Sequence, residues 1–176
     1  VDTILFDLPA KEGPPNGIVD KAIANLGKLS PAPFASKSKA AAITAANYDQ
    51  HLDLLKDCDL IIEAIAERMD WKKALYEKVA PHLGESTIFA SNTSGLSINS
   101  LSEAMPEQYR SRFCGVHFFN PPRYMHLVEL IPTSATRAEI LDDLETFLTS
   151  TLGKGVVRAK DAAAASRCTV HRSRSN

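Results

Sequence analysis

Short apolar runs alternate with longer segments of helical spacing along most of this chain, and that alternation restricts the possible folds more than any other feature. Residues 59–64 form a compact apolar run of the type that is buried on both faces of a parallel sheet. Residues 70–83 follow with apolar side chains at helical spacing. The pattern predicts an open, mostly parallel α/β sheet, in which ligands bind at the carboxyl ends of the strands.

The same periodicity assigns the other elements. Ser97 is suited to cap the amino end of a helix, and Thr136 and Glu139 have the spacing of a capping box. Further strands are predicted at residues 3–6, 41–45, 87–90, 113–119, 126–131 and 155–159, and helices at residues 18–29, 97–105 and 136–153, with a helical turn at 51–56.

Length and composition limit the organisation of the chain. The 176 residues are enough for one domain with a real hydrophobic core. Residues 1–161 read as that domain, whereas residues 162–176 are rich in Ala, Ser and Arg and unlike the rest. We expect the tail to be disordered.

Charge and cysteine content exclude several functions. A net charge of −1 gives no basic excess, so no nucleic-acid partner is expected. Apolar runs are too short to span a membrane, and no signal peptide is visible, which predicts a soluble, cytoplasmic protein. The three cysteines form no C-x-x-C, so no metal site is expected.

Two ionisable residues lie inside apolar strands, which is unusual. His117 lies in the strand predicted at 113–119, and Glu129 in the strand predicted at 126–131. A buried carboxylate is costly unless it is paired, and a histidine is a suitable partner. Such a pair could act as a general base. The alternatives are a satisfied core histidine and a glutamate that faces solvent.

Two other polar positions follow predicted strands. Asp7 ends the first strand, where a dinucleotide-binding fold places a carboxylate on the adenosine ribose, although an aspartate there is often only a turn residue. Residues 91–95 are all small or polar and could contact a ligand at the edge of the sheet. A polar loop that leads into a helix is the alternative reading.

Four motifs occur together, in order: DLIIEAIAE at 59–67, SNTS at 91–94, HFFNP at 117–121 and LVELI at 127–131. With this order and separation, the chain resembles the 3-hydroxyacyl-CoA dehydrogenases of fatty acid β-oxidation. The similarity runs from Ile4 to Asp161 and is greatest to bacterial members, including the multifunctional type fused to an enoyl-CoA hydratase.

The resemblance implies a Rossmann-like fold and NAD-dependent oxidation of an L-3-hydroxyacyl-CoA to the 3-ketoacyl-CoA. His117 matches the base, Glu129 the acid that orients it, and Ser94 the residue at the substrate's 3-oxygen. Lys28 lies near a position that binds CoA phosphates. The cofactor-binding residues implied are Asp7, Glu67, Lys72, Asn92 and Asn120.

The chain also departs from the family pattern. The first β-α unit with its G-x-G-x-x-G turn has no counterpart, which predicts weak NAD binding. A catalytic asparagine after Asp161 and the helical C-terminal domain through which relatives form homodimers are also missing. Two alternatives therefore stay open: an inactive fragment that keeps a CoA-binding or protein-binding surface, and another dehydrogenase acting on a small hydroxy acid.

Overall fold

The computed structural model describes residues 1–161, so the predicted tail at 162–176 lies outside the described residues. The described chain forms two compact units, Val1–Leu55 and a second that starts at Lys56. Length and composition predict one domain over this range, and that stays a prediction. The strands of the described residues form two separate sheets, of two and five strands.

The first unit is a small parallel β-α-β arrangement. Strand β1 pairs in parallel with β2, and Asp7 at the end of β1 lies opposite Asn47. A helix and two 3₁₀ segments complete the unit. Its elements are β1 (Thr3–Asp7), α1 (Gly17–Leu26), a 3₁₀ segment (Lys37–Ala42), β2 (Ile43–Asn47) and a second 3₁₀ segment (Leu52–Asp57) that ends just beyond the unit.

The second unit is a five-stranded sheet with helices on both faces. Strands β3, β4 and β5 are parallel, β6 is antiparallel to β5, and β7 is parallel to β6. Its main elements are β3 (Leu60–Glu63), α2 (Met69–Val79), β4 (Ile88–Ser91), α3 (Ile98–Ala104), α4 (Glu107–Arg110), β5 (Phe113–Phe118), β6 (Leu127–Pro132), α5 (Ala138–Thr146) and β7 (Gly155–Arg158). The prediction of a mixed α/β fold with a mostly parallel sheet is confirmed.

Alternate residues of the central strands face opposite sides of the sheet, and helices cover both sides. Val116 and Leu130 face α5 and pack with its buried side chains, among them Leu144. On the other face, the ring of Tyr76 from α2 meets the rings of Phe89 and Phe113 edge-on, at 5.2 and 5.7 Å. The central strands are therefore held on both sides, which fixes the position of their carboxyl ends.

Gly115 lets α3 pack closely against the sheet. A Cβ atom at this position would lie 2.8 Å from Cδ1 of Ile98 and 3.1 Å from Cβ of Ile131, which is too close for a side chain. Ile98 is the first residue of α3, so this contact holds the start of the helix over β5. The loop before α3 is thereby brought close to the strand that carries His117.

Two expectations about local structure are wrong. Residues 59–64 are not buried on both faces: β3 is an edge strand of its sheet, and Ile62 is 39% exposed. The capping box also fails, because the Thr136 hydroxyl bonds to Thr133 and to the carbonyl of Phe113 instead of capping α5. Ser97 does cap α3 as predicted, since its hydroxyl accepts from the Ser100 amide.

Candidate active site

His117 and Glu129 form a hydrogen-bonded pair near the carboxyl edge of the parallel strands. The two residues are directly opposite each other in the antiparallel β5–β6 ladder, so their side chains project from the same face. His117 Nδ1 lies 2.9 Å from Glu129 Oε2. The contact predicted from the sequence is therefore present, and the catalytic role stays a prediction.

The pair is partly shielded but remains accessible. The side chain of His117 is 16% exposed and that of Glu129 10% exposed. The Phe119 ring lies 4.8 Å from the imidazole, centroid to centroid, and covers one side of it. Because Glu129 engages Nδ1, the imidazole can use Nε2 for proton transfer.

The loop after β4 is fastened to Glu67. The carboxylate of Glu67 accepts hydrogen bonds from the Thr93 hydroxyl (2.6 Å), the Ser94 amide (2.6 Å) and the Ser94 hydroxyl (3.1 Å). Burial alone would raise the pKa of Glu67, but these hydrogen bonds and the charge of Lys72 outweigh it and lower the pKa. Glu67 is therefore ionised and holds Ser94 in place.

Beneath this loop lies a buried network around Glu63. Its carboxylate accepts from the Ile65 amide (2.7 Å), Lys72 Nζ (2.5 Å), the Tyr76 hydroxyl (3.0 Å) and the Ser91 hydroxyl (2.8 Å). Burial, with the negative charge of Glu63, raises the pKa of Tyr76 well above its usual value. The network ties the carboxyl ends of β3 and β4 to α2.

Sequence reasoning missed Glu63 and assigned Lys72 to the cofactor. Lys72 is fully buried, and its amine is bound to Glu63, so it presents no surface to a ligand in this conformation. A glutamate nine residues before a lysine, across a strand, loop and helix start, gives no pairing signal in one sequence. The apolar run that contains Glu63 was the only available hint.

Asn92, the residue after β4, is hydrogen-bonded to both β3 and β5. Its main-chain amide donates to the Glu63 carbonyl at 2.7 Å, and its side-chain Oδ1 accepts from the Phe118 amide at 2.8 Å. Asn120 is exposed in the loop that follows β5. These two residues, with Glu67, Ser94, His117 and Glu129, therefore lie at one edge of the second unit.

Asp7 and Lys28 belong to the first unit. Asp7 ends β1 and is exposed, with one carboxylate oxygen accepting from the Leu8 amide at 2.7 Å. Lys28 lies just past α1 beside a mainly apolar groove, whose lining is Ile23, Ala24, Gly27, Lys28, Ala32, Pro33, Phe34 and Ala40. Their predicted roles in binding ribose and CoA stay predictions.

The donors and acceptors at the edge of the second unit suit the ribose and amide end of a dinucleotide. Such a ligand needs a few placed polar groups, and the carboxylate of Glu67 and the amide of Asn120 are of the required type. None of the helices in residues 1–161 is both long enough and apolar enough to cross a bilayer.

Comparison with known proteins gives consistent matches. Residues 16–162 match the family described as "3-hydroxyacyl-CoA dehydrogenase, NAD binding domain". A Rickettsia felis protein, whose name describes a trifunctional enzyme of a fatty acid oxidation complex, is 45% identical over 159 residues, or 90% of this chain. A Deinococcus radiodurans protein named as a 3-hydroxyacyl-CoA dehydrogenase is 39% identical over 162 residues, or 92% of the chain.

A solved structure agrees with these matches. The 3-hydroxybutyryl-CoA dehydrogenase of Escherichia coli K12 superposes on 92% of this chain with a TM-score of 0.76 at 27% identity, and the chain covers 33% of it. The chain spans 22% of the Rickettsia protein and 47% of the Deinococcus protein. It therefore corresponds to one part of longer relatives.

Proposed function

Because this chain belongs to the family of NAD-binding domains of 3-hydroxyacyl-CoA dehydrogenases, we propose that it carries the proton-transfer site for oxidation of an L-3-hydroxyacyl-CoA to the 3-ketoacyl-CoA. The observation that supports this most strongly is the contact between His117 Nδ1 and Glu129 Oε2. NAD is the cofactor of the family, and when bound it accepts the hydride that leaves C3 of the substrate.

His117 is the proposed general base. The carboxylate of Glu129 accepts a hydrogen bond from Nδ1–H, which leaves the lone pair on Nε2 for the 3-hydroxyl proton of the substrate. As the imidazole takes up this proton it becomes positively charged, and the adjacent carboxylate stabilises that charge. In the reverse reaction, the same nitrogen returns the proton to the carbonyl oxygen.

Ser94 is the proposed contact for the 3-oxygen of the substrate. Its amide and hydroxyl both donate to the Glu67 carboxylate, which holds the residue in the loop after β4, at the same edge of the sheet as His117. Glu67, Asn92 and Asn120 are the proposed contacts at the nicotinamide end, and Asp7 the contact at the adenosine ribose. Lys72 is proposed to act on this side only through Glu67, whose ionised form it favours.

We propose the β-oxidation of fatty acids as the setting of this reaction, since the names of relatives point to fatty acid oxidation. Acyl-CoA is then the substrate partner. A cytoplasmic location and dimerisation through a C-terminal domain outside this chain remain predictions.

A direct assay tests the proposal. NADH oxidation with acetoacetyl-CoA is measured for this chain and for His117→Gln, which keeps a polar side chain but removes the base. We expect a fall in kcat of about 10²- to 10⁴-fold, the usual contribution of a general base, with NADH affinity unchanged. Equal rates at background level would contradict an active site in this chain.

That outcome would favour the second candidate, an inactive fragment that binds CoA. One observation supports it: the groove of the first unit has an apolar lining with Lys28 at its side, which suits an adenine ring next to a phosphate. Calorimetry with CoA would then decide, with Lys28→Met as the test variant and Lys21→Met, on α1 away from the groove lining, as its control.

A further inference from the structure

We propose that Asn92 is a positioning residue for His117, acting through the main chain of β5. This inference rests on the proposed function, because it assigns Asn92 a task in placing the proposed base. The task is separate from any contact of Asn92 with a cofactor, since Oδ1 and Nδ2 of the side chain are different atoms.

The first step concerns where the β4–β5 ladder ends. The last paired residues are Ser91 and Gly115, and β5 continues for three residues beyond that point. The Phe118 amide therefore has no main-chain partner on β4. Asn92 supplies one with its side chain, because Oδ1 accepts from that amide at 2.8 Å.

The second step concerns what this bond fixes. Phe118 is the residue directly after His117, and in the β6 ladder it lies opposite Val128, next to the His117–Glu129 position. A bond to the Phe118 amide restrains the peptide unit between His117 and Phe118. The direction of the imidazole toward Glu129 depends on that peptide unit.

The third step concerns why Asn92 can hold this strand end firmly. Its own amide donates to the Glu63 carbonyl, and Ser91 before it donates its hydroxyl to the Glu63 carboxylate at 2.8 Å. Lys72 and Tyr76 also donate hydrogen bonds to that carboxylate. Asn92 is thus anchored to a rigid, buried network, and the restraint passes from there to β5.

The variants are chosen to separate the acceptor from the donor of the amide. Asn92→Leu keeps the approximate side-chain volume and removes both the acceptor and the donor. Asn92→Ala also removes both, with a smaller side chain. Asn92→Asp keeps the acceptor Oδ1 and loses the donor. Asn99→Ala is the matched control, because Asn99 Oδ1 also accepts a distant amide, that of Ser134, at 3.1 Å.

Two NMR readouts on the folded chain need no activity. One is the hydrogen-exchange rate of the Phe118 amide, and the other is the downfield signal of the hydrogen-bonded His117 Nδ1 proton. We expect Asn92→Leu and Asn92→Ala to speed Phe118 exchange about tenfold, as for the loss of a semi-buried hydrogen bond, and to broaden or remove the His117 signal. Asn92→Asp should retain both, and Asn99→Ala should leave both unchanged.

Measuring the enzymatic activity of the same variants gives a second test. If the wild-type chain is active, Asn92→Leu should lower kcat about 10- to 100-fold, as a displaced catalytic group does, and should lower it more than Asn92→Asp, which loses Nδ2 but keeps the acceptor for the Phe118 amide. The inference is overturned if the exchange rate of the Phe118 amide and the His117 Nδ1 proton signal are as little changed in Asn92→Leu and Asn92→Ala as in Asn99→Ala. It is also overturned if all Asn92 variants weaken NADH binding equally while the His117 signal persists. An inactive wild-type chain would contradict the proposed function alone, since the NMR result stands without it.

Discussion

Two acid–base pairs lie on the sheet of the second unit, and they differ in accessibility and in how far their polar atoms are satisfied. Glu63 and Lys72 have side chains that are 2% and 1% exposed, and Glu63 accepts four hydrogen bonds. His117 and Glu129 are 16% and 10% exposed, and only one ring nitrogen of the histidine is used in their contact. The first pair can hold structure, and the second can exchange a proton with a ligand.

The difference shows how a carboxylate next to a basic side chain can either stabilise the fold or leave a group available to a ligand. A carboxylate that is saturated by internal donors has no capacity left for a substrate, and its burial makes any change of charge costly. A carboxylate that engages one side of an imidazole leaves the other side available for chemistry. Saturation and exposure, not the residue types alone, therefore distinguish a supporting pair from a candidate catalytic pair.

The largest expected effect comes from breaking the buried pair. Lys72→Met leaves the Glu63 carboxylate buried without its cation and should lower the free energy of unfolding by about 3–5 kcal/mol. The double variant Glu63→Gln with Lys72→Met should recover most of this loss, because no charge then remains buried. Urea or guanidinium denaturation measures both.

The control for that experiment is on the same helix. The Arg68–Asp70 pair at the start of α2 is 57% and 62% exposed, so Arg68→Met should leave stability almost unchanged. A similar loss in Arg68→Met and Lys72→Met would show that burial does not set the cost. The contrast between the two acid–base pairs would then lose its physical basis.

The next effect in size concerns the candidate catalytic pair. Glu129→Gln preserves the shape of the side chain and removes the charge that stabilises an imidazolium, so we expect kcat to fall about 10- to 100-fold. The free energy of unfolding should fall by less than in Lys72→Met, because Glu129→Gln keeps an oxygen that can accept from Nδ1–H and leaves no unpaired buried charge. The acetoacetyl-CoA assay and denaturation are run on one preparation.

The opposite result would be informative. If Glu129→Gln unfolded the protein as readily as Lys72→Met while wild-type and variant activities were equal, the His117–Glu129 pair would be a second structural pair. The proposed proton transfer would then have no support from Glu129.

The smallest of these effects concerns Asp161, a half-buried carboxylate that belongs to neither pair. Asp161 accepts from the Ser97 hydroxyl, the Ile98 and Asn99 amides and the Asn99 side chain. Burial alone would raise its pKa, but these hydrogen bonds outweigh it and lower the pKa. Asp161→Asn should therefore lower the free energy of unfolding by about 1–2 kcal/mol at pH 7.

The sign of the pH dependence follows from that lowered pKa. A carboxyl with a lower pKa when folded contributes its full stability above its unfolded pKa, about 3.9, and loses it as the pH falls through the folded pKa. The difference between wild type and Asp161→Asn should be constant from pH 7 to 5 and should shrink below about pH 4. A difference that grows on acidification would contradict this account of Asp161.

The sequence predicts the elements that have strong periodicity and fails where tertiary partners decide. The strands near residues 59–64, 113–119 and 126–131 and the Ser97 cap are found as predicted, because apolar runs and local hydrogen bonds are encoded in neighbouring residues. Thr136 does not cap α5, because the helix begins at Ala138 with Arg137 at its N-cap, and the oxygen of the Thr136 hydroxyl accepts from the Thr133 amide instead. Its proton goes to the Phe113 carbonyl, 23 residues away.

The candidate site shows the same division. The contact of His117 with Glu129 was predictable, because two ionisable groups in adjacent apolar strands have few other ways to be satisfied. The role of Glu63 was not, since its four partners come from residues 65, 72, 76 and 91, which meet only once the sheet and α2 have packed. Exposure of Ile62 depends likewise on β3 being an edge strand.

The most direct test of the central claim is the tautomer of His117. Nitrogen-15 NMR of the imidazole at pH 8.5, where an ordinary histidine is neutral, reports which ring nitrogen carries the proton. We predict the proton on Nδ1, bonded to Glu129, with Nε2 unprotonated and able to accept from a substrate hydroxyl. A proton on Nε2, in wild type and Glu129→Gln alike, would contradict the assignment of His117 as a base oriented by Glu129.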